Sequence, residues 1–383
     1  LQLTYFIDDK LGGVSSLNLN LATHCPYPDT RQTVIHMRHE GSNMARAGIT
    51  YPVDEELYFS FSEKENGYSM LKRLHGILPG APGAFVLNYG TEMAMLDHYP
   101  VRQTTYQLVH DQYNVRLSEQ YGHLVDVFIC HNTHIYEDLK RLHPGREQRI
   151  FYRPHGVPIP AKWQQHNNPE KPLKLFFLGR MTKAKGIFDL PVISKHLVDM
   201  QVPFEWTCIG NGPELEQLKK EWPSEYPVRF LSPATNNEVM DICAEQDLFV
   251  LPTKFEGSPV SLIETMSAGL VPVISKLPGG ITDIVQEDIG YALPVDDNLA
   301  FAKAITELHA NRPHLAEMGR RCRAKIIQDF DVRKTAAAYH ALFHRYEEFY
   351  TPKNLRKLKI GSRLDHPVIP NWLTKLLRKK AHG

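Results

Sequence analysis

The feature that most restricts what this chain can fold into is a repeated alternation. In the first half, short apolar runs cover Leu3 to Ile7, Val34 to Met37, Leu57 to Phe61, Phe85 to Leu87, Tyr106 to Val109 and Val125 to Ile129. Helix-period patterns stand among them over Tyr68 to Leu78 and Tyr136 to Leu142. The second half repeats the scheme with runs at Leu173 to Leu178, Phe204 to Ile209, Val228 to Leu231 and Leu248 to Leu251. Runs this apolar suit strands buried on both faces, and strands alternating with helices predict doubly wound parallel sheets. Such sheets bind ligands beyond the carboxyl ends of their strands, so the chemistry is sought in the loops there.

A length of 383 residues is enough for two or three domains at roughly 150 residues each. A net charge of +1 gives bulk electrostatics no reason to favour nucleic acid, and no nucleic-acid partner is expected. The cysteines Cys25, Cys130, Cys208, Cys243 and Cys322 are scattered, odd in number and form no Cys-x-x-Cys pair. Neither a zinc site nor a disulfide framework is indicated, which fits a reducing cytoplasm. No apolar run approaches the ~18 residues that span a bilayer. No secretory signal is expected, and a start at Leu1 reads as the loss of a few N-terminal residues.

The most informative stretch runs from Lys254 through Glu256, Gly257, Ser258 and Pro259 to Glu264 and Gly269. A buried strand ends at Pro252, Ser258 can cap a helix, and Pro259 suits a first helical position. Gly269 is a plausible C-terminal stop. Free N–H groups around Val260 and Ser261 then suit a phosphate. Glu256 on the loop and Glu264 on the helix bracket that point. One can reach a sugar hydroxyl and the other a ribose hydroxyl. Each glutamate alone reads more readily as a dipole-compensating or solvated acid; the combination is sharper.

Three more strand-end loops carry polar groups. Gly179-Arg180 follows a strand, and Lys185-Gly186 is read as opening a helix. A guanidinium can clamp diphosphate oxygens through paired donors while an ammonium adds a compact charge. Gly12-Gly13 forms a glycine turn between strand and helix, a second backbone cradle for phosphate. His110-Asp111 directly follows the strand Tyr106 to Val109. Asn88, Tyr89 and Asn132 also sit at strand ends, either as acceptor contacts or as ordinary loop polars. Gly210-Asn211-Gly212-Pro213 has only two glycines of a dinucleotide fingerprint and reads as a tight strand–helix turn.

Glu-x7-Glu followed by Thr265-Met266-Ser267-Ala268-Gly269, with Gly-Arg-x4-Lys-Gly upstream, resembles the donor-site signature of retaining glycosyltransferases of family GT4. The resemblance is strongest from about Leu173 to Pro294. It implies an α/β chain of GT-B fold, two Rossmann-like domains facing across a cleft. Residues 1–157 would form an acceptor-binding domain, with helices from 340–383 packing back on it, and 158–339 a donor-binding domain. The segment Pro158 to Pro172, rich in Pro, Asn and Gln, is read as the linker.

By the same resemblance Arg180 and Lys185 hold the donor diphosphate and neutralise the leaving group. Glu256 grips the sugar hydroxyls, Glu264 the ribose, and the Gly257, Ser258, Val260 and Ser261 backbone the phosphate. Gly13 meets the diphosphate, and Leu231 and Ala234 border the nucleotide base. His110 faces the transferred sugar, and Asp111 orients it or binds acceptor. Arg153-Pro154-His155-Gly156-Val157 departs from the usual Pro-Asn-Gly-Val, with His155 in place of Asn. Pro259 lacks the N–H that many family members have at that point, so any sugar contact from that amide is lost.

The implied function is transfer of a hexosyl unit from a nucleoside diphosphate sugar (UDP or GDP) to a glycan or lipid-linked acceptor, with retention, in cell-envelope or surface polysaccharide biosynthesis. The alternatives are a sugar-nucleotide epimerase of the same fold or a non-catalytic sugar-nucleotide-binding subunit. No cofactor or metal is expected, since the cations are built in. Helices are expected at Leu299 to Leu308, Leu315 to Ile327 and Val332 to Tyr350. The tail from Lys353 is basic, and Trp372, Leu373, Leu376 and Leu377 fall on one helical face between cations. That pattern suits either an anionic membrane surface or a docked, solvated tail. The expected location is the cytoplasm, with a peripheral place on the inner face of the membrane open to it.

Overall fold

The computed structural model describes residues 1–8, 12–41, 49–161, 163, 171–232, 235–256 and 259–381. Contacts divide the chain into two compact units. One comprises Leu1–His131, Ile135–Arg153 and Arg333–Gly383, the other Asn132–His134 and Pro154–Val332.

The chain begins with β1 (Gln2–Asp8), α1 (Gly13–Thr23), β2 (Arg31–His39), β3 (Glu55–Phe61), α2 (Gly67–Gly76) and β4 (Gly83–Leu87). It continues through α3 (Gly90–His98), β5 (Thr104–Val109), α4 (Gln112–Tyr121), β6 (Val127–Cys130), α5 (Thr133–Leu142) and β7 (Ile150–Tyr152). The seven strands are parallel, in the order β3-β2-β1-β4-β5-β6-β7. Side chains alternate between the two faces, as strand geometry requires. Leu3, Tyr5 and Ile7 join one apolar cluster with Val34 and Val86, while Phe6 joins the other with Ile35, Phe85 and Leu87.

The second unit runs β8 (Leu173–Leu178), α6 (Asp189–Asp199), β9 (Phe204–Ile209), α7 (Leu215–Glu221), β10 (Val228–Leu231), α8 (Asn236–Cys243) and β11 (Leu248–Leu251). Then come α9 (Val260–Ser267), β12 (Val271–Ser275), α10 (Gly280–Ile284), β13 (Tyr291–Leu293), α11 (Asn298–Ala310) and α12 (Arg312–Asp329). Its six strands are again parallel, ordered β10-β9-β8-β11-β12-β13. Strands β8, β9, β10 and β11 have the bounds read from the sequence; β8, β9 and β11 are largely buried runs, and β10 is the part-exposed edge strand.

The chain closes with α13 (Val332–Phe343), α14 (Tyr346–Phe349) and α15 (Asn371–Ala381). Ala336, Tyr339, Leu342, Phe343 and Phe349 complete the apolar cluster of Tyr5. Leu355, Leu358 and Ile360 lie against the cluster of Phe6, on the other face of the same sheet. Buried acids pin this segment down. Asp126, with no exposed surface, accepts from the Thr351 N–H at 3.1 Å and forms an ion pair with Lys353. Asp97 accepts the N–H groups of Arg356 at 2.8 Å and Leu358 at 2.7 Å. Asn66 donates to the carbonyls of His366 and Ile369.

Some expectations shift. The contact boundaries fall after Arg153 and after Val332 rather than at 157/158 and 339/340. Val157 bridges Asp331 and donates its N–H to Phe330 at 2.9 Å, which ties both residues to the second unit, while Tyr339 is buried in the first. The single helix expected over Val332 to Tyr350 is two, α13 and α14, with Arg345 out of helical geometry between them. Helices α3 and α4 and strand β7 were not anticipated. The five cysteines are free thiols.

Candidate active site

In the second unit β8 and β11 are neighbours although β9 and β10 lie between them in sequence. That is the topological switch point, where ligands of doubly wound sheets bind. The loop leaving β8 carries Arg180 and Lys185, and the loop leaving β11 carries Glu256 and feeds α9. Lys185 and Glu256 meet in an ion pair, their side chains 24% and 12% exposed. Read separately in the sequence, the two side chains are partners in the structure.

Local backbone explains why they meet. Lys183–Lys185 is a single 3-10 turn closed by Gly186 in the left-handed region at φ 70°. A Cβ at Gly186 would stand 1.9 Å from the Pro252 carbonyl oxygen, so only glycine lets the two loops come so close. The Ala184 carbonyl accepts the Lys254 N–H at 2.8 Å and the Thr253 hydroxyl at 3.1 Å. Helix α6 starts only at Asp189, so Lys185-Gly186 does not open it. A left-handed glycine at that point turns the chain before the helix begins. Arg180 is exposed, and its guanidinium has no hydrogen-bond or ion-pair partner among the described residues.

Helix α9 begins at Val260 with Pro259 as its N-cap, one residue later than the sequence suggested. Pro259 takes an extended ψ of 102° and therefore stands outside the helix. Val260 and Ser261 form its half-buried first turn, and Glu264 is half-buried one turn on. Gly269 follows the helix at φ 87°. Leu231 ends β10 and lines a depression of about 360 Å³ with Ser232, Glu238, Asp241 and Ile242. Ala234, Gly257 and Ser258 lie outside the described residues.

In the first unit the switch point lies between β1 and β4. Gly13 is the exposed first residue of α1, after an extended Gly12. His110 follows β5 and is 9% exposed. Its Nε2 lies 2.9 Å from Asn88 Oδ1, and its ring is tilted against that of His131 at 4.8 Å. Burial holds the His110 pKa well below its ordinary value and lowers that of His131 to about 4, so both rings are neutral near pH 7. Asp111 is the N-cap of α4. Its carboxylate caps α4, accepting from the N–H groups of Tyr113 at 2.9 Å and Asn114 at 3.1 Å. Sequence reasoning missed the part played by Asn88, Asn114 and the buried Glu92 around His110. The one local signal was Tyr89-x-x-Glu92, the spacing of a capping box on α3.

Residues 159–325 match the family model described as Glycosyl transferases group 1. The matched stretch runs from before β8 into α12. An Escherichia coli protein described as UDP-Gal:alpha-D-GlcNAc-diphosphoundecaprenol alpha-1,3-galactosyltransferase is 26% identical over 161 residues, 41% of this chain and 41% of that protein. The amylovoran biosynthesis glycosyltransferase AmsK of Erwinia amylovora is 28% identical over 171 residues, 42% of each. The chain thus spans about two fifths of the length of these curated relatives. The crystal structure of Anabaena Alr3699/HepE in complex with UDP and glucose superposes with a TM-score of 0.68 at 15% identity, over 90% of this chain and 99% of that one. Two parallel-sheet α/β units over that length are the GT-B fold. The matched stretch contains β8, β11 and α9, and with them Arg180, Lys185, Glu256 and Glu264.

Proposed function

We propose that the protein is a retaining glycosyltransferase that moves a hexosyl unit from a nucleoside diphosphate sugar to a glycan or lipid-linked acceptor in cell-envelope or surface polysaccharide biosynthesis. The observation that carries this reading is the Lys185–Glu256 pair at the switch point of the second unit, within the stretch matched by the family model. A diphosphate offers Lys185 more negative charge than one carboxylate does. Once Lys185 turns to it, Glu256 can accept hydrogen bonds from the sugar hydroxyls. Arg180 and the first turn of α9 add donors to the diphosphate, Glu264 takes the ribose, and His110 hydrogen-bonds the transferred sugar. The bond from the anomeric carbon to the diphosphate oxygen breaks while the acceptor oxygen bonds on the same face. The acceptor proton passes to the leaving phosphate oxygen. Arg180 and Lys185 supply the charge that a metal would otherwise bring, so the reaction proceeds without one.

Two of the similar proteins support a uridine nucleotide, one described as a UDP-Gal transferase and one crystallised with UDP and glucose. The lipid-linked acceptor is favoured by the diphosphoundecaprenol named for the first. Among the described residues no helix is long and apolar enough to cross a membrane. Contact with anionic lipid instead falls to α15, which presents Trp372, Leu376 and Leu377 at 67%, 48% and 41% exposure beside the exposed Lys375 and Lys379.

The test is turnover of UDP-, GDP- and ADP-sugars with free and undecaprenyl diphosphate-linked glycan acceptors, with and without EDTA. Nucleoside diphosphate should appear only when an acceptor is present, and EDTA should change nothing. Lys185→Ala and Glu256→Gln should each lower kcat by about 100-fold or more. Wild-type turnover in both variants would defeat the assignment.

A further inference from the structure

At the opposite end of the first sheet from His110, two arginines stand at one open cavity. Its volume is about 350 Å³, and its lining includes His123, Val125, Arg146, Glu147, Gln148 and Arg149. Arg149 immediately precedes β7 and Val125 lies two residues before β6, so the cavity sits at the amino ends of these parallel strands. His110 follows the carboxyl end of β5.

Both guanidinium groups are held by backbone oxygens rather than by acids. Arg146 Nη1 donates to the Gly122 carbonyl at 2.8 Å, and its Nη2 to that of Val125. Arg149 Nη1 donates to the carbonyls of Asp126 at 3.3 Å and Phe349 at 2.5 Å. Carbonyl dipoles orient these charges without cancelling them. The acids nearby are committed elsewhere. Asp126 pairs with Lys353 and accepts from Thr351, and Glu348 pairs with Arg345. Glu147, on the exposed rim, accepts the Gly145 N–H at 3.0 Å. Arg146, Arg149 and Lys353 thus outnumber the one buried carboxylate among them. Burial and then the charge of Arg149 hold the Arg146 pKa below its usual value.

A guanidinium carries five N–H donors. Arg149 uses only Nη1, so its Nε and Nη2 have no acceptor among the described residues, and neither is sealed off by protein. The same holds for Arg146 Nε.

We propose that this cavity binds a phosphate group between the Arg146 and Arg149 guanidinium groups. Parallel Nε–H and Nη2–H donors match two oxygens of one phosphate, and its charge meets the local excess. The volume lies at the lower end of ligand pockets, roughly 300–1,000 Å³, and leaves room for more than a bare anion. The group is therefore carried on a larger molecule, either an anionic lipid headgroup or a free phosphorylated metabolite. The cavity shares no residue with the donor site.

Isothermal titration of the full chain with inorganic phosphate, at constant ionic strength, tests the site. The donor site also attracts phosphate, so the parent carries Arg180→Ala and Lys185→Ala. Phosphate should bind this parent, and Arg149→Gln should lower the affinity by about 10-fold or more. Gln148 is exposed, so Gln148→Glu leaves every arginine–carbonyl bond in place and supplies a charge to the cavity. Its thermal midpoint in chloride should rise and its phosphate heat disappear. No phosphate heat in the parent, or equal heat with Gln148→Glu, would overturn the proposal. Gln148→Glu decides even where Arg149→Gln fails to fold. Co-sedimentation with phosphatidylglycerol or phosphatidylcholine vesicles, with Trp372→Ser, Leu376→Ser and Leu377→Ser silencing α15, identifies the source. A lipid headgroup gives binding to phosphatidylglycerol that Gln148→Glu abolishes. A free metabolite gives the phosphate heat with no vesicle binding that depends on Gln148.

Discussion

Glu92 shows how a single buried acid can shape the site without touching a ligand. Its Oε1 accepts the N–H groups of Asn88 and Tyr89, at 2.8 and 2.5 Å. Burial lifts its pKa from 4.5 to about 8. The folded chain therefore keeps a proton that the unfolded chain gives up near pH 4.5. Stability from this group is complete below that pH and falls by up to ~1.4 kcal/mol per pH unit until about pH 8. Glu92→Gln keeps the accepting oxygen and removes the titration. Its thermal midpoint should match wild type near pH 5 and exceed it by several degrees near pH 8; parallel curves across that range would contradict the assignment. The Tyr89-x-x-Glu92 spacing is visible in the sequence, yet its consequence for His110 is not. Asn88 reaches Phe6 across 82 residues, and no local pattern records such a contact. Asp111 is less legible for a related reason: a strand-end acid beside a histidine reads as its partner, while the contact its Oδ1 makes is with the N–H groups of α4.

At the scale of elements, strands were far more legible than helices. Short apolar runs mark the parallel strands, and four in the second unit are read from the sequence to the residue, the part-exposed edge strand β10 among them. Helices α3 and α4 were missed because their inward faces are not apolar stripes. Helix α3 buries Glu92, Met93, Met95, Leu96 and Asp97, and α4 buries Asn114 and Ser118. Glu92 caps α3 and Asp97 bonds the tail, while Asn114 bonds Asn88 and Ser118 bonds back to Val115, so the 3.6-residue period is blurred. The tail itself adds apolar groups to both faces of the first sheet, and buried polar contacts fasten it there. Lys353 is 3% exposed and paired with Asp126, which is fully buried. Removing one partner of a buried pair leaves the other charge uncompensated, a loss of about 3–5 kcal/mol. Lys353→Ala should lower stability by that amount in urea unfolding. A change below about 1 kcal/mol would mean that the pair is solvated.

Over the whole molecule, the donor signature was readable because it is contiguous in each loop, while the meeting of Lys185 with Glu256, 71 residues apart, required the fold. The tail helix splits its residues in the same instructive way. Thr374 is buried and Arg378 is bonded to Asp365 at 2.6 Å, which turns Trp372, Leu376 and Leu377 outward. Changing those three to serine should leave the thermal midpoint unchanged and markedly reduce co-sedimentation with vesicles containing anionic lipid. Equal partitioning of variant and wild type would remove the membrane contact from the function.

The left-handed glycine beneath Pro252 carries a lesson for engineering. It makes the segments bearing Lys185 and Glu256 a single keyed part, each shaped to the other's main chain. Anyone transplanting sugar preference from a homologue must move both segments together, since a hybrid with one native and one foreign half would lose the register that aligns cation and acid.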